Sequence, residues 1–571
     1  MGQGVDLFLR SPDKPPFFLG RTRIKQAVNA FLEFDLKRLR RRRRLAGKRR
    51  EVEYYFRRLA DRPGRLEGAV LIDATWDNPN YWARLSLFRA ALGVVSGNEV
   101  AVVAPPRNEI TTKCLNNLGI TRIEEYKDTA IDERFLTKAC DLLAKTNAPG
   151  DILSWRLPYD LPADIVMYDA ILKKQRMPCI DLSDPKIEGY VATILRIIDN
   201  NMELLDRIRP QLLLLSHLSG FFSATLGMLA AQKNIPAIFL GGRFGTERFK
   251  KITGKSYFYD YFDVPKNKDL NFMIPNKVKA LAEIGDAYLK KRFLGETTDI
   301  GGIYAYQKRK KHVERKDILE KFGWNPDLPI VVVYASNWFD YPHTYGMNQF
   351  RDFLDWIGAT VAVAREVTDV NWLFKAHPCD AWYKGSTLDD ILPDPIAVHV
   401  RHAQKDWQGK SLINCVDAMI TYHGSIGIEG AALGKPVMVA DRGFYHDFGF
   451  VHFPKNREAY IHALRKAWWS DMDMDDAAFR AKVFAGLFYG APDWRKGFIF
   501  DDDTRGEELY ETMLDKFEQN REVVDRVINE ISDWWESDHD RLHVYLMDKA
   551  EGYQLSNAVE TGSLVNSKKS P

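Results

Sequence analysis

From Leu66 onward the chain alternates short, almost uninterrupted apolar runs with stretches of helical periodicity. The runs are GAVLIDA (68–74), EVAVVAP (99–105), PQLLLLSH (210–217) and IPAIFLG (235–241), then LPIVVVYAS (328–336), VNWLFKAHP (370–378), VDAMITYHG (416–424) and KPVMVAD (435–441). Such runs suit strands covered on both faces, and the segments between them are long enough for crossover helices. YWARLSLFRAALGVV, NEITTKCLNNLG, a segment near 189–208 and another from about Ser219 to Lys233 carry the helical spacing in the first half. Strand and helix in repetition predict parallel α/β layers, interrupted by a stretch of mixed character after residue 265. The expected fold class is α/β, with two Rossmann-like domains in series facing a cleft.

The boundaries that follow are a basic helical segment at 1–65, a first Rossmann-like domain at 66–265, a connector at 266–325 and a second Rossmann-like domain at 326–500. Helices at 501–553 and a disordered tail at 554–571 complete the chain. A length of 571 residues exceeds one core. No run of about 18 apolar residues is present to cross a bilayer. The start, MGQGVDLFLRSPDKPPFF, lacks the apolar segment of a secretory leader, and Asp6 stands where the myristoylation pattern wants Ser or Thr. Five scattered cysteines without metal-site spacing read as reduced thiols, so a cytoplasmic location with neither disulfide nor metal is expected.

Charge is unevenly placed. Residues 1–65 hold 19 Lys and Arg against 7 Asp and Glu, leaving 62 against 71 in the remainder. Within them KRLRRRRRLAGKRR, residues 37–50, contains no acid, and Ile24, Val28, Phe31, Leu32, Leu36 and Leu39 recur upstream at helical spacing. A basic amphipathic helix of this kind suits an anionic membrane surface, each nearby cation being worth about 1 kcal/mol. A solvated helix packed on the first domain and a nucleic-acid arm share the pattern; the acidic remainder lacks the interleaved aromatic and basic residues of a nucleic-acid channel, so no nucleic-acid partner is expected.

The chemistry concentrates at the ends of the strands, where open α/β sheets bind ligands. TYHGSIGIEGAALGKPVMV (421–439) is strand, tight turn, small-residue helix and strand. Gly424 and Gly427 let a ligand approach the backbone, the first helical N–H groups and the Ser425 hydroxyl can hold a phosphate, and Glu429 lies one turn on, where a carboxylate can accept from ribose hydroxyls. One strand earlier, LFKAHP ends in Lys375 and His377 at the same edge, and His423 ends its neighbour. Asn337 in ASNWFDYPHTYG and Tyr445 in DRGFYHDFGF would extend the pocket. The corresponding edge of the first domain offers Asp73, Asp77 and His217 as bases for an acceptor hydroxyl, while Lys375, His377 and Arg243 could neutralise a leaving phosphate. Spacing does not rank the three bases.

The run NWFDYPHTYGMNQFRDFLDWIGATVAVAREVTDVNWLFKAHP, followed by TYHGSIGIEGAALGKPVMVADRGFYHDFGF and YIHALRKAWW, resembles the bacterial capsule polysaccharide synthesis family of GT-B glycosyltransferases over about residues 328–495. The resemblance implies that His377, Ser425 and Glu429 contact the phosphates and ribose of a nucleotide sugar. It brings a CMP-linked donor into range, because the HP element is also similar to that of CMP-sialic acid transferases. It further implies no bound metal, and no cofactor is expected; the basic residues 37–50 would hold the enzyme at the inner face of the cell membrane, and the expected acceptor is a surface or capsular polysaccharide or a lipid-linked glycan. Rival functions on the same scaffold are a teichoic-acid-type CDP-polyol phosphotransferase, which paired histidines permit, a non-catalytic nucleotide-sugar binding component of polysaccharide assembly, and a UDP-sugar 2-epimerase.

Overall fold

The computed structural model describes residues 66–490 and 519–542 apart from internal stretches, the longest being 127–131, 255–265, 268–274 and 380–383. The basic residues 37–50 and the tail therefore lie outside the described residues, as does Asp77. No described helix is long and apolar enough to cross a membrane.

Strands β1 (Val70–Ala74), β2 (Glu99–Val103), β3 (Arg122–Glu125), β4 (Leu212–Leu215) and β5 (Ala237–Phe239) precede a small hairpin of β6 (Gly242–Arg243) and β7 (Thr246–Glu247), and β8 (Lys250–Ile252) follows. The first sheet runs β3-β2-β1-β4-β5-β8, parallel except that β8 pairs antiparallel with β5. A second set, β9 (Ile330–Tyr334), β10 (Asn371–Lys375), β11 (Val400–His402), β12 (Ala418–Thr421) and β13 (Val437–Val439), forms an all-parallel sheet in the order β11-β10-β9-β12-β13. Each sheet thus repeats the 3-2-1-4-5 order of a doubly wound fold, which makes the chain a pair of Rossmann-like domains of the GT-B kind. The apolar runs are buried throughout, as in VLIDA, LLLL, IVVVY and NWLFK. Branched and aromatic side chains fill both faces of each sheet, where crossover helices cover them.

Residues 275–322, read from sequence as part of a connector, pack into the second domain. Helix Pro275–Phe293 crosses helix Met474–Ala485 so closely that a Cβ on Gly285 would stand 1.9 Å from the Lys482 carbonyl oxygen. One on Gly486 would stand 2.0 Å from that of Leu281. Only glycine allows this approach, and it fixes where the end of the 275–293 helix points.

Helix Arg521–Glu536 returns to the first domain. Trp534 is fully buried there, edge-on to Phe88 with centroids 6.2 Å apart. The Lys251 ammonium donates to the carbonyls of Trp534, Trp535 and Ser537 at 2.6, 2.9 and 2.7 Å, closing the carboxyl end of that helix with a cation. Backbone bonds from Lys251 N to Asp540 O and from Leu542 N to Phe249 O continue the sheet edge.

The two domains meet at side chains that are themselves paired. Asp169, at the start of helix Asp169–Gln175 in the first domain, accepts from His343 N and Nδ1 at 3.1 and 2.8 Å and from Thr344 N and Oγ1 at 2.8 and 2.9 Å. Burial alone would lower the His343 pKa, but the charge and hydrogen bond of Asp169, with Asp164 and Asp352 behind it, raise it above the ordinary value. Tyr168 donates to Asp352 at 2.6 Å, and Lys173 reaches Asp340 at 2.7 Å.

Candidate functional site

The parallel register sets Tyr334 beside Lys375 and beside Thr421, so the last residues of β9, β10 and β12 form one row at the carboxyl edge of the second sheet. A cavity of about 230 Å³ opens over this row, at the point where the strand order reverses. Of the residues expected there, Asn337, Lys375, His377, His423, Gly424, Ser425 and Glu429 line it together. Arg292, Tyr306 and Lys310 enter from the former connector.

Its electrostatics are one-sided. Both carboxylates in the wall are already paired: Glu429, 1% exposed, accepts from Arg292 Nε at 2.6 Å and from the Tyr306 hydroxyl, and Asp340 accepts from Lys173. Lys375 donates to the Gln404 carbonyl, and neither it nor Lys310 takes part in an ion pair among the described residues. Burial, then the neighbouring Lys310, pull the Lys375 pKa down to about 7, and burial lowers that of Lys310. Two unbuffered lysines in one cavity form a place for an anion.

Neutral donors sit beside them. His377 accepts from Cys379 N on Nδ1 at 3.2 Å, so its neutral ring carries the proton on Nε2. Burial lowers its pKa to about 4 although the ring keeps partial exposure, so His377 stands neutral where a charge was expected. The Asn337 Nδ2 and the Tyr334 hydroxyl have no hydrogen-bond partner among the described residues, each on a residue 8% exposed in the pocket wall. A buried donor without a partner costs about 1–3 kcal/mol, a debt that a ligand acceptor would cancel.

Several expectations change. A Cβ on Gly427 would stand 2.2 Å from the Tyr445 hydroxyl, so this glycine makes room for a side chain and not for a ligand. Tyr445 is not a pocket wall; it is 1% exposed beneath the turn and donates to the Gly424 carbonyl at 2.5 Å. Glu429 keeps its place in the pocket, but its carboxylate is held by Arg292 and Tyr306, and Arg292 also reaches Ser425 Oγ at 3.4 Å. The Arg292 position carried no sequence signal: within KKRF it reads as the solvated end of a helix.

At the other switch point, between β1 and β4, the carboxylate is fully engaged. Asp73, fully buried, accepts from Ser216 N, Ser216 Oγ and Ser223 Oγ at 3.0, 2.6 and 2.7 Å on one oxygen. Its other oxygen accepts from Thr75 N and Oγ1 at 3.1 and 2.6 Å. With five donors and no exposure it cannot serve as the base proposed from sequence. His217 is half-buried beside it, its Nδ1 3.1 Å from Ser216 Oγ. Arg243 is placed only by its backbone in β6, its side chain lying outside what the structure describes.

No protein-family model matches the chain, and no curated protein does. Among solved structures it is similar to the UDP-GlcNAc 2-epimerase of Neisseria meningitidis bound to UDP-GlcNAc, at 11% identity over 75% of this chain and 97% of that one, with a TM-score of 0.24. It is similar to the KpsC beta Kdo 2,4 transferase of Thermosulfurimonas dismutans at 15% identity over 48% of this chain and 78% of that one, TM-score 0.31. The spinosyn rhamnosyltransferase SpnG shares 11% identity over 74% of this chain and 96% of that one, TM-score 0.24. At such identities and scores the site has to be judged on its own residues.

Proposed function

We propose that the chain is a GT-B glycosyltransferase that moves a sugar from a nucleotide-sugar donor in the second-domain pocket to an acceptor held mainly by the first domain. The acceptor we propose is a surface or capsular polysaccharide or a lipid-linked glycan, and CMP-linked sugars belong to the donor range. The single observation carrying this is the cavity at the second switch point, in which Lys310 and Lys375 face inward while both nearby carboxylates are bound elsewhere. A phosphate supplies the missing counter-charge.

In this reading Lys375 regains its proton when the phosphate binds, and with Lys310 it neutralises the oxygen that develops charge as the glycosyl bond breaks. His377 Nε2–H and Ser425 Oγ donate to the same group. The Asn337 amide and the Tyr334 hydroxyl meet acceptors of the nucleotide. These fixed donors provide the stabilisation a divalent cation would otherwise give, so transfer proceeds without a bound metal. Residues 37–50 would hold the chain electrostatically on the anionic cytoplasmic face of the membrane, where lipid-linked acceptors lie.

The test is thermal unfolding of the full chain with CMP, CDP, UDP, GDP and their sugars. A ligand at 100 times its Kd adds about 2.7 kcal/mol, so one nucleotide family should raise the Tm, and Lys375→Met should cut the rise to about half or less. No rise with any nucleotide would overturn the proposal. Turnover of a UDP-sugar without acceptor to its C2 epimer would replace it with the epimerase reading, and a phosphodiester product from a CDP-polyol would replace it with the polyol-phosphate one.

A further inference from the structure

We infer that the buried junction of Asp169 with His343 and Thr344 is a proton-operated latch, through which the first domain holds the loop that carries Asn337, Asp340 and Tyr345 into the wall of the second-domain cavity. The latch acts whatever occupies that cavity. Asp169, fully buried, takes one backbone and one side-chain donor on each oxygen: His343 N and Nδ1 on Oδ1, Thr344 N and Oγ1 on Oδ2. Four donors from two consecutive residues fix backbone and side chains of the loop after β9 together. Lys173, one turn on along the same helix, ties Asp340 at 2.7 Å, its ammonium 5.4 and 5.1 Å from the ring centres of Phe339 and Tyr341. Between these two ties Tyr341 has a φ of 53°, a left-handed conformation that a residue other than glycine keeps only where its surroundings hold it. Asn337, Asp340 and Tyr345 of this loop all line the cavity.

The charges around the ring make the latch depend on a proton. Asp164 and Asp169 of the first domain and Asp352 of the second act on the His343 charge. Tyr168 stands edge-on to the imidazole, with centroids 5.2 Å apart, and donates to Asp352 at 2.6 Å, while Arg351 holds the same carboxylate at 2.9 Å. Tyr341 lies near Asp169, and the Cys179 sulfur is 3.9 Å from the Tyr168 hydroxyl. Three carboxyl groups thus meet one guanidinium, and His343 supplies a second cation only when protonated. A neutral imidazole would still donate from Nδ1 to Asp169, but it would leave buried negative charge without compensation. The Asp169 contact accordingly outweighs the effect of burial and holds the ring proton above its ordinary range. The latch is therefore complete below about pH 6.5, the ordinary histidine value, and loses its charge pair as pH rises through the higher folded value.

The experiment is hydrogen–deuterium exchange on the full-length protein without nucleotide, following residues 335–346 from about pH 6 to about pH 9, with protection corrected for the intrinsic exchange rate. In wild type, protection should be constant below about pH 6.5 and then fall by up to about tenfold per pH unit until the folded value is passed. His343→Asn, whose amide nitrogen can stand where Nδ1 does without bearing charge, should give a flat profile, and Asp169→Asn should lose protection at every pH. A merely structural histidine gives a flat profile in wild type as well. Wild-type protection independent of pH would overturn the inference even if neither variant folds; so would a wild-type slope in His343→Asn or unchanged protection in Asp169→Asn. Because no nucleotide is present, each of these results leaves the glycosyltransferase reading standing.

Discussion

The two sheets share one strand order and differ in what they do at the reversal point. In the first, Asp73 in β1 is fully buried and held by the hydroxyls of Ser216 and Ser223 beside β4, so the carboxylate is a structural pin. In the second, the carboxylate at the reversal point is Glu429, on the helix Ile426–Ala432 that follows β12; it is paired with Arg292 and Tyr306, and the cavity it lines also has lysines in its wall. A Rossmann-like sheet offers a ligand site at this place, but whether the site is open depends on which side chains answer the buried charge. In the first domain neutral donors of the same domain answer it; in the second a guanidinium from residues 275–306 does.

Substitutions can break this contrast in order of size. The largest loss is expected for Glu429→Ala, which removes the carboxylate paired with Arg292, itself 2% exposed; a penalty of about 3–5 kcal/mol should appear as a lower urea midpoint. Asp73→Ala should cost about 2–4 kcal/mol by the same measurement, since bonds to a charged acceptor are worth roughly 1.5–3 kcal/mol each and do not add fully. What remains folded in that variant should still gain its full stabilisation from nucleotide, because the pin and the donor pocket lie in different domains. A loss of nucleotide response there would break the comparison.

Lys375→Met should behave in the opposite way, folding at least as well as wild type and binding nucleotide at least tenfold more weakly, about 1.4 kcal/mol by titration calorimetry. The sign of the pH effect follows from a folded pKa of about 7 against an unfolded one near 10.4. Between those values the unfolded chain holds more protons, so Lys375 makes stability rise with pH from about 7 toward 10, a slope the variant should lack. Nucleotide binding near pH 8 should take up a proton in wild type, detected as a buffer-dependent enthalpy, and not in Lys375→Met. The smallest change is expected for Asn337→Ala, a few-fold loss of affinity corresponding to about 0.5–1.5 kcal/mol for one neutral hydrogen bond.

The central strands were legible because burial on both faces forces continuous apolar runs. Edge strands escape that rule: RIEE of β3 is exposed or half-buried along its length, and VRH of β11 carries a half-buried arginine, so neither leaves an apolar signature. The lysine and histidine ending β10 and the turn at 423–429 were visible for a related reason, since polar residues at the end of an apolar run have few structural uses. Long-range pairing was not visible. Nothing in TYHGSIGIEG says that Arg292 and Tyr306 will meet Glu429, and nothing in VLIDA says that one oxygen of Asp73 will be held by hydroxyls 140 residues or more away along the chain. A carboxylate at a strand end reads alike whether it is free or fully bonded.

The return of helix Arg521–Glu536 to the first domain has a consequence for how the protein is made. Lys250 and Lys251 in β8, with Phe249 just before it, take their backbone partners from residues 540–542, and Phe88 packs against Trp534. On the ribosome, where folding follows the order of synthesis at about 5–20 residues per second, the domain translated first is completed last. Its unfinished edge is exposed for as long as the second domain takes to emerge, a vulnerability that a chaperone would have to cover, and a reason to expect that the two halves cannot be expressed apart by cutting the chain once.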